Sequence, residues 1–133
     1  MKSIRKREYI GLIVLVLLFS GLLLPALQQA RREKRDGIRR EEARNIKTAV
    51  EMYFNEYDFY PLEFNAGVHE YVVLKQVGQG ASEFYIRAEL ENSVEEAAGF
   101  DEEYNIYFRI VNEGGKTFYD ICGGELRCGE EEI

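Results

Sequence analysis

The sequence predicts an α+β protein in which one long amino-terminal helix packs on a small antiparallel sheet of three or four strands. Two observations predict this class. An uncharged apolar run, Tyr9–Leu27, continues into a segment whose apolar residues recur every three or four positions up to Tyr57. Beyond that point the apolar residues alternate with polar ones, which is the period of a strand. The 133 residues provide enough chain for one modest core.

Charge is distributed unevenly along the chain. Residues 1–40 contain ten Lys and Arg against three Asp and Glu, a net charge of +7, whereas residues 41–133 contain seven against twenty-one, a net charge of −14. An acidic body repels phosphate backbones, so we do not expect nucleic acid as a partner. The basic end suits an anionic membrane surface instead.

The apolar run Tyr9–Leu27 has the length of a membrane span. As a helix, its nineteen residues extend about 28 Å at roughly 1.5 Å per residue. A cleavable signal peptide is the alternative, because the flank before the run is basic. Signal peptidase needs small residues one and three positions before the cut. A cut after Ala26 would put Leu24 in the third position, and a cut after Ala30 would put Gln28 there, so neither site fits. We therefore expect the span to be retained.

Basic residues flank both ends of the span. Those before it favour a cytoplasmic amino end, and those after it compete: Lys2, Arg5, Lys6 and Arg7 come before, and Arg31, Arg32, Lys34 and Arg35 come after. The chain's two cysteines, Cys122 and Cys128, favour an exported domain. They have no Cys or His partners for zinc, whereas a disulfide would close a short loop in an oxidising compartment. The sequence therefore predicts a single-pass protein of the cytoplasmic membrane with an extracytoplasmic carboxyl-terminal domain.

Four segments follow from this pattern. Residues 1–8 form a basic cytoplasmic flank, 9–27 a transmembrane helix, 28–60 an amphipathic stalk helix, and 61–133 a loop and sheet with a disulfide-closed tail. Pro25 is expected to kink the helix and Pro61 to end it. A stripe of Ile46, Val50, Tyr53 and Tyr57 is predicted to cover the sheet. Its first three members are predicted to pack on Phe84, Ile86, Phe108 and Ile110. The opposite, solvent-facing side is predicted to carry Arg44, Lys47, Glu51 and Asn55.

The strands are predicted from alternation. Phe84–Leu90 and Tyr104–Ile110 alternate apolar with polar residues, and Thr117–Cys122 forms a further strand. The sequence Asn-Glu-Gly-Gly at residues 112–115 predicts a hairpin turn between the last two. Tyr71–Leu74 fits either a short helix or a strand.

These features together resemble a type IV pilin or the major pseudopilin of type II secretion. The segment EYIGLIVLVLLFSGLLLPAL, residues 8–27, resembles the amino-terminal helix of that family, with the seventeen-position spacing from Glu8 to Pro25. The segment ARNIKTAVEMYFNEYDFYP, residues 43–61, resembles the end of the same helix in major pseudopilins. The tail YDICGGELRC, residues 119–128, resembles the disulfide-closed end of many pilins.

The resemblance implies a structural subunit that assembles through its apolar helix, with Glu8 and Pro25 as assembly residues. Its partners would be copies of itself, other pilin-like subunits and the membrane, and its final location could be a cell-surface filament. A prepilin peptidase would cut between Ser3 and Ile4, although Arg5–Arg7 stand where the family has apolar residues. Two outcomes stay open: a mature chain that begins at Ile4 and assembles, and an uncut chain that begins at Met1 and stays an anchor.

Glu8 has two interpretations. In the resembled family, the equivalent glutamate pairs with the free amino terminus of a neighbouring subunit and sets the axial register. Without cleavage, Glu8 would instead join Arg5, Lys6 and Arg7 in a mixed-charge collar at the lipid headgroups.

Catalysis is not expected, because the single histidine, His69, lies in a loop and no nucleophile has a recognisable context. His69 is predicted to be solvated. Major pseudopilins often bind calcium near the sheet, and oxygen ligands of the kind calcium prefers are plentiful here. No spacing of carboxylates in this sequence defines a site, so the resemblance leaves calcium open at an unknown site and no other cofactor is predicted. The alternative to a filament subunit is a monomeric, membrane-anchored extracytoplasmic binding module with a pilin-like fold.

Overall fold

The computed structural model describes residues 5–130, which contain one helix and five strands. Helix α1 spans Lys6–Tyr57. The strands are β1 (Glu70–Val77), β2 (Gly80–Leu90), β3 (Ala97–Asp101), β4 (Ile106–Glu113) and β5 (Lys116–Gly124). The chain divides into two compact units, residues 1–34 and residues 35–133, and α1 contributes to both. The protein is therefore α+β, as predicted, but it has five strands rather than three or four.

The five strands form one antiparallel sheet in the order β1-β2-β5-β4-β3. The last strand in the chain lies at the centre, where it pairs with β2 on one side and β4 on the other. The predicted hairpin between β4 and β5 is confirmed. Gly114 and Gly115 both have positive φ angles, 59° and 78°, as the two central residues of a tight hairpin turn require.

Part of the strand prediction was wrong. β3 was missed because its sequence, AAGFD, is short and contains no β-branched residue. Tyr104 lies in the turn before β4 and is exposed rather than part of a strand. The ambiguous segment Tyr71–Leu74 belongs to β1, where Tyr71 and Val73 pack against the core.

The core lies between α1 and one face of the sheet. Ala43 and Val50, seven residues apart on α1, are fully buried and join a cluster with the inward residues of the strands. The strand residues in this cluster are Phe84, Ile86, Ala88 and Leu90 of β2, Ile106 of β4, and Tyr119 and Ile121 of β5, with Phe108 and Ile110 packed against it. Ile46 packs on the edge of the cluster. The predicted packing of Ile46 and Val50 is therefore confirmed.

Two predictions about the stalk helix were wrong. Tyr53 packs on Tyr57 and Phe59 rather than in the core, with ring centroids 4.5 and 5.8 Å away. The side predicted to face solvent is partly covered, because Arg44 stacks on Tyr104 and the side chain of Lys47 is only 17% exposed. The buried line runs through residues 36, 43 and 50, so the helix is rotated toward residues that the hydrophobic pattern assigned to solvent.

The helix ends at Tyr57, three residues before the predicted limit. Asp58 adopts a left-handed conformation, with φ 63°, while its N–H still donates to the carbonyl of Phe54 at 2.8 Å. This left-handed residue directly after the last turn is a common helix ending.

An aromatic cluster then fixes the loop that follows α1. The ring of Tyr60 lies 4.5 Å from Phe54 and 4.9 Å from Phe84, and its hydroxyl donates to the Glu51 carboxylate. The Tyr71 hydroxyl donates to the carbonyl of the buried Pro61 at 2.6 Å. The Tyr-Pro pair therefore joins the helix end to the first two strands.

Candidate functional site

The amino-terminal part of α1 presents an uninterrupted apolar surface. Every residue from Tyr9 to Leu27 is exposed, and the large apolar side chains among them are between 49% and 74% exposed, at Val14 and Leu22 respectively. Within residues 5–130, α1 is the one helix long and apolar enough to cross a membrane. This surface matches the predicted single-pass segment in position and character.

Glu8 lies in the first turn of α1. Its N–H donates to the carbonyl of Arg5 at 2.8 Å. A carboxylate in the first turn interacts favourably with the partial positive charge of the helix amino terminus. Among residues 5–130, Glu8 forms no ion pair within 4.0 Å. The structure therefore adds a local stabilising role to the two interpretations of Glu8. The predicted cut between Ser3 and Ile4 lies outside the described residues.

Pro25 lies inside α1, and the helix continues on both sides of it. Proline has no N–H, so the carbonyl of Gly21 lacks its usual helical donor. The serine hydroxyl of the apolar run is satisfied within the helix, because Ser20 donates to the carbonyl of Val16 at 2.8 Å. Such internal pairing is what a polar side chain needs in lipid.

The two cysteines form a disulfide that closes the tail onto the outer face of the sheet, opposite α1. Cys122 and Cys128 are bonded, with Cα atoms 6.1 Å apart, and both are buried. They cluster with Leu126, against which Tyr85 and Tyr107 pack. The structure agrees with the predicted pairing and shows that the bonded loop covers part of an otherwise open sheet face.

The outer face also carries a buried ion-pair ladder. Asp120 on β5 is fully buried and lies directly opposite Arg87 on β2 and Arg109 on β4. Arg87 donates from Nε and Nη2 to the two Asp120 oxygens at 2.7 and 2.9 Å, and Arg109 donates from Nε at 2.9 Å. The hydrogen bonds to Asp120 raise the pKa of Arg87 above its ordinary value. The arrangement links three adjacent strands, which is a structural role.

His69 is paired rather than solvated, contrary to the prediction. Its side chain is only 5% exposed, and its Nε2 lies 2.7 Å from a carboxylate oxygen of Glu42 on α1. The pair fastens the loop before β1 to the helix. The sequence did not predict the His69–Glu42 pair, because the two residues are 27 positions apart.

The acidic turn after β3 is stabilised by hydrogen bonds from its backbone N–H groups to the side chain of Asp101. One carboxylate oxygen of Asp101 accepts the N–H groups of Glu103 and Tyr104, at 3.0 and 3.4 Å. Among residues 5–130, no group of three or more His, Cys, Asp or Glu side chains is arranged to hold a metal ion. The geometry thus identifies no residues that would bind the calcium ion implied by the resemblance.

Comparisons with family models, with curated proteins and with solved structures find no match to this chain. The class of protein that the fold defines is an α+β domain carried on a long helix with a membrane-length apolar segment. The likeness to pilins rests on the sequence motifs at residues 8–27, 43–61 and 119–128.

Proposed function

We propose that this protein is a structural subunit of a type IV pilus or type II secretion pseudopilus that assembles through its amino-terminal helix. The observation that carries the proposal is the apolar surface of Tyr9–Leu27, on which every side chain is exposed. Contiguous apolar surface of this extent needs lipid or protein to cover it. A membrane covers it before assembly, and the same segments of other copies cover it in a filament core.

The proposal assigns Glu8 to assembly. A carboxylate is tolerated at the membrane edge but needs a partner inside a bundle of apolar helices. Cleavage before Ile4 would create an amine four residues away in sequence on each copy, and this amine would be the partner. The sheet domain, which is the compact unit Arg35–Ile133, would then lie outside the membrane, where the disulfide is stable. We propose no catalytic role for this protein.

The decisive experiment compares three full-length forms of the protein in cells: the parent, Glu8→Gln, and Glu33→Gln as a control. Glu33 is another exposed carboxylate of α1, beyond the apolar segment. We expect filaments in shear-released material, seen by electron microscopy, and cross-linked multimers for the parent and the control. Glu8→Gln should insert into the membrane and fold but enter no filament. Sequencing the mature amino terminus should give Ile4.

Two results would contradict the proposal. One is a parent protein that stays monomeric in membranes and begins at Met1. The other is a Glu8→Gln variant that assembles as well as the parent, which would leave Glu8 as a residue of the headgroup collar or of the helix amino terminus.

The alternative function is a monomeric, membrane-anchored binding module of the same fold. The observation that favours it is a groove beside α1 in the sheet domain, lined by Arg40 and Arg44. Absence of self-association, combined with ligand binding in this groove, would select this alternative.

A further inference from the structure

A groove of about 360 Å³ lies beside α1 in the sheet domain, next to the turn between β3 and β4. Its lining combines charged, aromatic and apolar side chains. They include Arg40 and Arg44 from α1, Asp101 and Tyr104 from the end of β3 and the turn, Phe108 from β4, and Tyr119 from β5. A groove of this size and mixed lining suits a small molecule.

The two arginines of the groove differ from the other arginines of the domain. Between residues 35 and 130, the other five each have a carboxylate oxygen within 4.0 Å: Arg35, Arg39, Arg87, Arg109 and Arg127. Among the described residues, Arg40 and Arg44 have none. Carboxylates are abundant in this chain, with 24 Asp and Glu, so two guanidinium groups without a carboxylate partner in one groove indicate a place for an external anion.

The surroundings hold both guanidinium groups in place. The Arg44 guanidinium lies 3.9 Å from the centroid of the Tyr104 ring, and that of Arg40 lies 5.7 Å from the Tyr119 ring. The Nε of Arg40 is shielded from solvent and has no hydrogen-bond partner within the described part of the chain. A buried donor without an acceptor is costly. An anion in the groove beside Arg40 would offset part of this cost through its charge, although Nε itself is shielded.

The groove also limits the charge and shape of its ligand. Asp101 lines the same groove, so the two guanidinium groups and this carboxylate leave a net charge of +1 there, which a ligand with one negative charge balances and a ligand with two or more would exceed. Phe108 and Tyr104 offer apolar surface beside the charged groups. Burial raises the pKa of Tyr119 above its ordinary value, with Arg44 and Arg40 opposing the shift, so this hydroxyl stays protonated at neutral pH and can donate a hydrogen bond.

We infer that the groove binds a small organic monocarboxylate. Arg40 and Arg44 would hold the carboxylate, because a guanidinium group matches its planar geometry with paired N–H donors. Tyr104 and Phe108 would contact the apolar part of the ligand. The inference goes beyond filament assembly and does not depend on it, since every residue involved belongs to the sheet domain or to the part of α1 that packs on it.

The test uses the full chain in nonionic detergent, with benzoate as the probe. Benzamide serves as its uncharged counterpart, and inorganic phosphate as an anion without an apolar part. Binding is measured by calorimetry and by NMR shifts of aromatic and arginine signals. We expect saturable binding of benzoate, no saturable binding of benzamide, and weaker binding of phosphate.

The variants Arg40→Gln and Arg44→Gln should each weaken benzoate binding by about tenfold or more, because each removes a charge-assisted contact. Arg127→Gln is the matched control. The Arg127 side chain is 62% exposed and lies outside the groove, so its loss should leave benzoate binding unchanged.

The inference would be overturned by the absence of saturable benzoate binding to the parent, by equal binding of benzamide or of phosphate, or by full binding in both groove variants. If a variant loses its cooperative thermal transition, the parent alone decides. Shifts confined to Tyr104, Phe108, Tyr119 and the two arginines would support the site, and shifts elsewhere would overturn it. If benzoate binds only after a second copy of the chain dissociates, the groove is occupied by carboxylates of that copy. This result would overturn the proposal of a small ligand.

Discussion

The carboxylate of Asp36 on α1 accepts the backbone N–H of Glu91 at 2.7 Å, directly after β2 ends. Its second oxygen accepts the N–H of Asn92 at 3.0 Å. Asp36 is only 3% exposed, so the carboxylate satisfies two amides away from water. Nearby, Arg35 pairs with Glu91 at 2.7 Å, and Arg39 donates to the carbonyl of Glu89 at 2.9 Å. The contacts of Asp36, Arg35 and Arg39 with the end of β2 together fix the position of the sheet along the helix.

Replacing Asp36 with Ala should destabilise the sheet domain by about 2–4 kcal/mol, because hydrogen bonds to a charged group are lost and two amides are left without a partner. Chemical denaturation of the full chain in detergent, monitored by near-UV circular dichroism, measures this change in the free energy of unfolding. Glu41→Ala, an exposed position of the same helix, should change the stability by less than about 0.5 kcal/mol. Equal losses in the two variants would contradict the role given to Asp36.

Replacing Asp120 with Asn should destabilise the domain by about 3–5 kcal/mol, because Arg87 and Arg109 would lose the charge that compensates them. Glu113→Gln is the control. Glu113 also contacts Arg87, at 3.2 Å, but its side chain is 58% exposed, so its effect should be at most about 1 kcal/mol. Urea denaturation of both variants compares them, and a loss for Glu113→Gln as large as that for Asp120→Asn would show that burial of the pair does not determine its effect.

Replacing Val50 with Asp should cost several kcal/mol, on the order of the total stability of a small domain, because a charge without a partner would enter the core. Val50 is fully buried. Asn55→Asp, on the exposed side of the helix, should melt within a few degrees of the parent. Arg44 is not a suitable control, since it stacks on Tyr104. Equal melting temperatures for Val50→Asp and Asn55→Asp would disprove the packing.

The disulfide should leave no thiol available for labelling in protein purified without reductant. Reduction, or the double replacement of Cys122 and Cys128 with Ala, should lower stability by roughly 2 kcal/mol, the entropic effect of closing a loop this short. The tail should then become sensitive to protease. Two reactive thiols in the untreated, correctly exported protein would contradict the assignment.

Stability should fall as the pH rises from about 10 to about 12. Burial, together with the neighbouring Glu51 carboxylate, raises the pKa of Tyr60 from its ordinary 10.0 to about 12. In this range the unfolded chain loses the Tyr60 proton while the folded chain keeps it, so folding is favoured below pH 10 and this contribution is lost as the pH approaches 12. Burial raises the pKa of Tyr71 as well.

Tyr60→Phe should therefore reduce the slope of stability against pH between 10 and 12, whatever it does to stability at pH 7. Thermal melts of the parent and the variant across this range measure the slope. Tyr57→Phe, at an exposed tyrosine, is the control and should keep the slope of the parent. An unchanged slope in Tyr60→Phe would show that a group other than Tyr60 causes the loss of stability at high pH.

Local pattern was enough to predict the long helix, its end near Asp58–Pro61, the strand alternation of Phe84–Leu90 and the hairpin at Gly114–Gly115. These features depend on residues close together in the chain: the spacing of apolar side chains, a proline that disfavours helix, and glycines that permit positive φ angles. The apolar length of Tyr9–Leu27 is likewise a property of composition. The sequence by itself therefore determined the class of the fold and the presence of a membrane-length segment.

Tertiary structure decided which residues meet. His69 and Glu42, Asp36 and Glu91, and the ladder of Arg87, Asp120 and Arg109 join positions between 11 and 55 residues apart, and no periodicity predicts such pairs. The central place of β5 decided that Asp120 would be buried, since it puts Arg87 of β2 on one side of Asp120 and Arg109 of β4 on the other, and both side chains pair with its carboxylate. The rotation of α1 brought Arg40 and Arg44 beside the sheet rather than into solvent, because the helix packs through Ala43 and Val50. Side-chain partners across a core depend on how whole elements pack, and this packing created the groove.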